Sequence, residues 1–319
     1  MPPKYPLSDH YDGKRFHNIL AQRKWSFRDL LRWLATRRIP DWEKTDVLGT
    51  PRPAPRVGRG RMVVTFINHM TFLIQVNGLN ILTDPVWSSH PGPLGMFGPK
   101  RQTLPALDLS ELPPLDLVLI SHNHYDHMDI PTLKTLHRTH HPVFVVPLGN
   151  AKHLSSLRNV VVHELDWLQE INPIPDIAIT AVPARHFSSR TPFDRDQALW
   201  CGFVVDTGKY KVYFAGDTGW DQHFGEIKKI FSDLDVAMIP SGAFLPPLIM
   251  QDIHLNPEEA IKAFKETGAR HGIACHFGTF QLGDDTPQLV ASELITAMTY
   301  HEVDPEKFLI GRHGLVLNI

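Results

Sequence analysis

Cysteine is scarce: Cys201 and Cys275 are the only two in 319 residues, too few for a disulfide framework and suited to a reducing compartment. No stretch approaches ~18 consecutive apolar residues, so no membrane-spanning helix is expected, and the opening MPPKYPLSDHYDGKRF lacks the apolar centre of a secretory signal. Charge of one sign is lacking too. Thirty-two Lys plus Arg against 34 Asp plus Glu leave a formal charge of -2, which advertises no nucleic-acid partner. There is no repeat and no low-complexity tract. These absences together predict a soluble cytoplasmic protein, with peripheral membrane contact and homodimer formation left open. What is present in quantity is apolar residues, 42% of the chain with 17 Phe, enough for a large core. Histidine is the outlying count at 19, and neutral imidazole is the commonest metal ligand.

Residues 1–60 read as an arm, a short amphipathic helix and a linker, and 61–319 as the main domain. The helix starts at Ser26, with Phe27, Leu30, Leu31 and Leu34 on one side, Arg28, Arg32, Arg37 and Arg38 elsewhere, and Pro40 as its stop. Docking on the body accounts for it; a basic amphipathic helix can also rest on anionic lipid. Three prolines and three arginines between Thr50 and Gly60 make the linker. The main domain opens with β-rich runs at Met62–Ile67 and Thr71–Val76, an Asn77-Gly78 hairpin turn and a third run ending at Thr83-Asp84. Residues 88–115, rich in Pro and Gly, form a long irregular loop of the kind that tends to be functional. Further strands are expected at Leu117–Ile120, Val143–Val146, Val160–Val162, Ile177–Val182, Leu199–Val205, Tyr210–Phe214, Val236–Ile239, Ile273–Ala274, Phe308–Ile310 and Leu315–Leu317. Helices follow at Ile130–Leu136 and from Pro257 to Thr267, the latter stopped by Gly268. Two β-rich layers covered by helices result.

The densest chemistry is Ser121-His122-Asn123-His124-Tyr125-Asp126-His127, on the turn from a strand into a helix, where α/β folds present ligand groups. His122 and His124 are two apart, so in extended backbone they share a face and can reach one cation. Asp126 and His127 follow where the chain turns and can face a second position. One metal rarely needs four ligands from one turn, whereas two metals ~3.5 to 4 Å apart do. Asn123 and Tyr125, which alternate with them, are expected to pack or hydrogen-bond locally.

With this H-x-H-x-D-H run the sequence resembles the metallo-β-lactamase superfamily, which implies an α/β fold, the αββα sandwich of two sheets flanked by helices. A narrower resemblance is to the N-acylphosphatidylethanolamine-hydrolysing phospholipase D family. It is carried by Leu112-Pro113-Pro114, Val118–His127, Thr83-Asp84-Pro85, Leu199-Trp200, Gly216-Asp217-Thr218 and His276-Phe277-Gly278-Thr279, and spans about Asp12 to about Phe280. The resemblance implies three distant ligands: His186 as the third histidine of the first metal, Asp217 as the carboxylate bridging both, and His276 as the last ligand of the second. Singly, each has an ordinary structural explanation; in this order and spacing the metal reading is the stronger. With His122, His124, Asp126 and His127 the set is five His and two Asp, all nitrogen and oxygen, which suits Zn2+ and also admits Fe or Mn. Two such cations lower the pKa of a bridging water from ~15.7 to about 7, giving a hydroxide that Asp126 can orient or relieve of its proton.

The same resemblance places Asp84 behind a ligating histidine as its orienting carboxylate, and His254, just ahead of a helix N-terminus that favours anions, beside a substrate phosphate. His69 also follows a strand, and the sequence does not decide its part. Arg185, Arg190 and Arg195 could bind a phosphate or carboxylate, and the run Ala243–Met250 could wall an acyl-chain pocket or be a buried connection. His140, His141, His153, His163, His271, His301 and His313 lack ligand spacing. The expected function is a binuclear metal-dependent phosphodiesterase of phospholipase D type acting on N-acylphosphatidylethanolamine-like lipids. The alternatives are a lactonase, or a hydrolase of small phosphodiesters or nucleotides, on the same site. A non-hydrolytic redox or metal-sensing protein fits less well, since redox relatives replace the second histidine by a carboxylate and His124 is intact.

Overall fold

The computed structural model describes residues 4–20, 27–37, 40–43 and 47–319. Among these residues fourteen strands form two seven-stranded sheets. The first takes β1 (Met62–Asn68), β2 (Thr71–Val76), β3 (Leu79–Thr83), β4 (Leu117–Leu119), β5 (Val143–Pro147), β6 (Val162–Leu165) and β14 (Val316–Asn318), in the order β14-β1-β2-β3-β4-β5-β6. The second takes β7 (Glu170–Ile174), β8 (Ile177–Val182), β9 (Gly202–Asp206), β10 (Lys211–Phe214), β11 (Val236–Pro240), β12 (His271–Cys275) and β13 (Phe308–Ile310), in the order β13-β12-β11-β10-β9-β8-β7. The helices are α1 (Phe27–Thr36), α2 (Ile130–His140), α3 (His223–Ile230), the single turn α4 (Pro247–Met250), α5 (Pro257–Thr267) and α6 (Pro287–Tyr300).

The central strands read as unbroken apolar runs because both of their faces are buried. In β4, Leu117 and Leu119 point between the sheets, onto Phe203 and Phe214, while Val118 points outward to the layer of α2 with Leu133 and Leu136. In the second sheet Val212 and Phe214 face inward and Tyr213 faces the helical layer with Phe224, Ile261, Phe264 and Leu294. Burying each such side chain contributes about 1.5–3 kcal/mol. The helix α5 is bounded as its sequence predicts: Asn256 and Glu259 form a reciprocal capping box, and Gly268 ends it at φ 66°.

Strand direction is what positions the site. β1 and β3 are both antiparallel to β2, and β4 is parallel to β3. In the other sheet β8 and β10 are both antiparallel to β9, and β11 and β12 run parallel to β10. The C-terminal ends of β1, β3 and β4 therefore lie on one edge of their sheet, and those of β8, β10 and β12 on one edge of theirs, the crevice position for ligands in α/β sheets.

Several elements differ from the expectation, among them the single turn α4 inside the run Ala243–Met250 and β6, which starts where the expected strand Val160–Val162 ends. β7 is only partly buried, carries Pro173 at an irregularity between Ile171 and Ile174, and lies at the sheet edge, where Pro and bulges are tolerated. α3 and α6 occupy segments the sequence reading leaves unassigned; in α6 the buried stripe Val290, Leu294, Ala297 and Met298 is blurred by exposed Ile295 and Tyr300. The expected start of α1 at Ser26, and Arg38, lie outside the described residues. α1 itself docks on the body: the Trp33 indole donates to Asp284 (2.6 Å), the Arg37 guanidinium pairs with the same carboxylate (3.0 Å), and Leu31 stays half exposed. Among the described residues no helix is long and apolar enough to cross a membrane.

Candidate metal centre

Six strand ends deliver the site. His69 follows β1, Asp84 follows β3, the 121–127 turn follows β4, His186 follows β8, Asp217 follows β10 and His276 follows β12. His69, Asp84 and His276 hold φ of 46°, 30° and 66°, conformations that cost non-glycine residues about 1–3 kcal/mol and cluster at functional sites. Gly216, at φ 60°, lets the two sheets close here: a Cβ on it would lie 2.6 Å from the Ser121 Cβ and 2.9 Å from the Cys201 carbonyl oxygen. The Cys201 N–H in turn donates to the Ser121 carbonyl at 3.0 Å, joining the sheets at the mouth.

Two groups of donor atoms result. His122 Nε2 lies 2.9 Å and His186 Nε2 lies 3.2 Å from His124 Nδ1. In the second group His127 Nε2 and His276 Nε2 lie 3.2 and 3.6 Å from Asp126 Oδ2. Asp217 Oδ2 sits between the groups, at 3.2 Å from His127 and 3.1 Å from His276 on one side, and 4.0 Å from His122 and 3.7 Å from His186 on the other. The structure thus brings all seven expected ligand residues together.

Surrounding hydrogen bonds orient the rings. Asp84 accepts from His127 Nδ1–H (2.7 Å), from the Ser121 N–H (2.7 Å) and from the Ser121 hydroxyl (2.5 Å). Ser121 Oγ, having given its proton to Asp84, accepts from His122 Nδ1–H at 2.9 Å, and His186 Nδ1–H donates to the Ile253 carbonyl at 2.8 Å. Each bond puts the ring proton on Nδ1 and leaves the Nε2 lone pair aimed inward, as a metal ligand requires. Asn18, from the N-terminal arm, brackets His186: its Oδ1 accepts the His186 N–H (3.1 Å) and its Nδ2 donates to the His186 carbonyl (2.8 Å). No spacing in the sequence signals that contact.

Burial pushes the His124 imidazole down to about 4 and, with the neighbouring imidazoles, holds His122 well below the usual range. These are neutral lone-pair donors. Burial also lowers His127 and His276, but Asp217 and Asp126 more than reverse it, taking His127 well above the usual range and His276 to about 9. Asp217 and Asp126, despite burial, are held well below the carboxylate range by His127. Those raised values belong to rings that hold a proton against the carboxylates, yet His127 Nε2, His276 Nε2 and Asp217 Oδ1 are buried and make no well-aligned hydrogen bond, so a pair of divalent cations that replaces the protons and takes the lone pairs fits the centre. Nitrogen and carboxylate oxygen alone suit Zn2+, Fe or Mn.

His254 lies at the rim, its Nδ1 3.9 Å from Asp217 Oδ2 and without a hydrogen-bond partner; burial pushes it down to about 3. His69 belongs to the second group, its Nε2 2.9 Å from Asp126 Oδ2. All three arginines have partners within the protein. Arg185 donates to Asp252 (2.8 Å) and to the Trp220 carbonyl (2.9 Å). Arg190 stacks on Tyr125 and donates to the carbonyls of Asn123 and Met128, clamping the 121–128 turn. Arg195 lies over Phe187 and pairs with Asp196 at 3.5 Å. Tyr125 and Asn123 hydrogen-bond, not locally as expected but across to the loop after His186: the Tyr125 hydroxyl donates to the Arg190 carbonyl and Asn123 Oδ1 accepts the Ser189 N–H.

Comparison with known proteins agrees with this geometry. The profile of the beta-lactamase superfamily domain matches residues 79–277. An N-acyl-phosphatidylethanolamine-hydrolyzing phospholipase D of Caenorhabditis elegans is 31% identical over 296 residues, covering 85% of this chain and 83% of that one. An uncharacterized protein of Mycobacterium tuberculosis is 36% identical over 275 residues, covering 80% and 73%. A solved metallo hydrolase from Ignicoccus hospitalis has the same fold, with a TM-score of 0.60 at 21% identity over 81% of this chain and 98% of that one. With two sheets meeting at paired His and Asp clusters, and with these relatives, the chain belongs to the metallo-β-lactamase superfamily of metal-dependent hydrolases.

Proposed function

We propose that this hydrolase is a phosphodiesterase of phospholipase D type acting on N-acylphosphatidylethanolamine-like lipids. The observation that carries the reading is an apolar wall against the polar centre. Ile249, Met250 and Ile253 are buried together with Trp33 and Phe187 packed on them, and the Phe187 ring lies 4.5 Å from that of His124. A phosphodiester headgroup at the clusters and hydrocarbon along that wall match this juxtaposition, and the Caenorhabditis elegans relative carries that activity in its name.

Two divalent cations held by His122, His124 and His186 on one side and by Asp126, His127 and His276 on the other, with Asp217 between, would polarise a phosphoryl oxygen and acidify water. The chain's own groups do the rest. Asp126 Oδ2, fixed among His69, His127 and His276, is placed to orient a water and take up its proton. His254, with Nδ1 unpartnered beside Asp217, can hydrogen-bond a phosphoryl oxygen. The water oxygen bonds to phosphorus, the bond from phosphorus to the ethanolamine oxygen breaks, and the proton passes to that leaving oxygen. Phosphatidic acid and an N-acylethanolamine are the products.

The test is to incubate purified, metal-loaded protein with N-acylphosphatidylethanolamine and follow both products. Turnover should exceed that of the His122→Ala, Asp217→Ala double variant and should rise with acyl length across a substrate series. Equal turnover by the two proteins would sink the reading, and preference for short soluble phosphodiesters or lactones would redirect it to those substrates.

A further inference from the structure

His69 is the residue at this centre whose part its place in the sequence leaves open. It sits in the tight turn between β1 and β2, next to a register shift between Phe66 and Asn68, with a left-handed φ of 46°. The structure grips it from both sides to hold that conformation. Its N–H donates to Thr279 Oγ1 at 2.9 Å, and its carbonyl accepts the His276 N–H at 3.1 Å. Thr279 is itself braced, its hydroxyl donating to His313 Nε2 (2.9 Å) while His313 Nδ1–H donates to the Leu104 carbonyl (2.8 Å). Next door, Arg101 donates to Asn68 Oδ1 at 3.1 Å.

The result of this support is a fully aimed ring. His69 is 1% exposed, its ring centroid is 4.2 Å from that of His276, and Phe280 packs edge-on at 5.5 Å. Its Nε2 meets Asp126 Oδ2 at 2.9 Å and its Nδ1 is buried without a partner. A carboxylate only accepts, so the ring proton is on Nε2 and is given to Asp126. That nitrogen then has no lone pair for a cation, although it lies in the same tight group as Asp126, His127 and His276.

We infer that His69 is a positioning residue: its Nε2–H fixes Asp126 Oδ2 so that the carboxylate's remaining lone pairs face the second metal position. The inference rests on the reading of this cluster as a paired metal centre. Hydrogen bonds to ligating carboxylates typically change metal affinity about 10–100-fold.

The experiment is zinc titration of metal-free protein against a chromogenic chelator, with no substrate present. Wild type should take up two equivalents. His69→Phe, which keeps an aromatic ring and loses the donor, should hold the first equivalent and weaken the second about 10–100-fold, with its metal-free melting temperature close to wild type. His69→Asn is a second variant that accepts a left-handed φ readily but is too short to reach Asp126, and it should behave the same way. His69→Gln, which restores a donor of similar reach, should recover much of the lost affinity. Either folded donor-less variant binding both equivalents as tightly as wild type would overturn the role of His69. Wild type taking up one equivalent or none would overturn the paired-site reading, and the inference with it.

Discussion

Asp84 shows how much of a site one buried side chain organises. It is fully buried, and burial pushes its carboxyl up, with His127 and Ser121 pulling the other way. It reaches His127 directly and His122 through Ser121 Oγ, so one carboxylate orients a ring in each donor group. In Asp84→Asn one oxygen becomes an NH2, which opposes either the Ser121 N–H, in place of Oδ1, or both the His127 Nδ1–H and the Ser121 hydroxyl, in place of Oδ2. Metal affinity should fall about 10–100-fold, read as metal content after dialysis against a weak chelator; unchanged content would remove Asp84 from the orienting role. At this scale legibility was uneven. His122, His124, Asp126 and His127 are visible by spacing because one turn carries them. His186, Asp217 and His276 come from separate strand ends, so only resemblance to a family could group them. Asn18 and Ser121 act through hydrogen bonds, which leave no spacing to read, and His69 through a ring direction set by the strained turn.

Among the elements, the N-terminal arm is where the structure adds most to the reading. Tyr11 and Phe16 are buried against Ala184, Leu199 and Trp200, and Asn18 then reaches His186. His10 anchors the arm, with carboxylate oxygens at 2.7 Å from both ring nitrogens, Asp9 on Nδ1 and Asp166 on Nε2, and with its ring on Trp167 at 4.4 Å. Only the protonated ring donates to both. Burial lowers the His10 pKa, but the bonds to Asp166 and Asp9 raise it above its ordinary value overall. A raised histidine contributes stability that is fully present below ~6.5 and is lost as pH climbs through the folded value. Asp166, raised by burial but lowered overall by His10, contributes in the opposite sense, its share being lost in strong acid. Docking of the arm should therefore be tightest in mild acid and loosen above neutrality. Hydrogen exchange of the amides of residues 8–17, followed from pH 5.5 to 8.5 and corrected for intrinsic rates, should show protection falling with pH, and His10→Gln should flatten the profile. A wild-type profile as flat as the variant's would contradict this. The strands were legible for a different reason, since burial on both faces writes them as apolar runs, while edge strand β7, partly exposed and interrupted by Pro173, carries no such signature.

Over the whole molecule, two sheets that share a core present their ligand-bearing strand ends to one mouth, so the metal centre and the fold stabilise each other. A cation bound to the folded state at 100 times its Kd contributes about 2.7 kcal/mol. Stripping the metals should therefore lower the melting temperature by on the order of 5 °C, reversibly on adding zinc, and the His122→Ala, Asp217→Ala protein should show a much smaller shift. Identical melting of stripped and loaded wild type would mean that the clusters hold no structural cation. The arrangement of two layers was legible from alternating strand and helix patterns; which strand ends would meet was not, because that depends on direction and pairing across sequence separations as long as that from His69 to His276.

The two cysteines acquire a use from where they lie. Cys275 immediately precedes His276 on β12, and Cys201 bonds through its backbone to Ser121 across the mouth. Both are buried, and burial raises both thiols far above the range in which a thiolate forms. Both lie in the core between the sheets, so neither meets a reagent until the sheets part. The chain therefore carries its own chemical clock for that parting, read as the rate at which its thiols react.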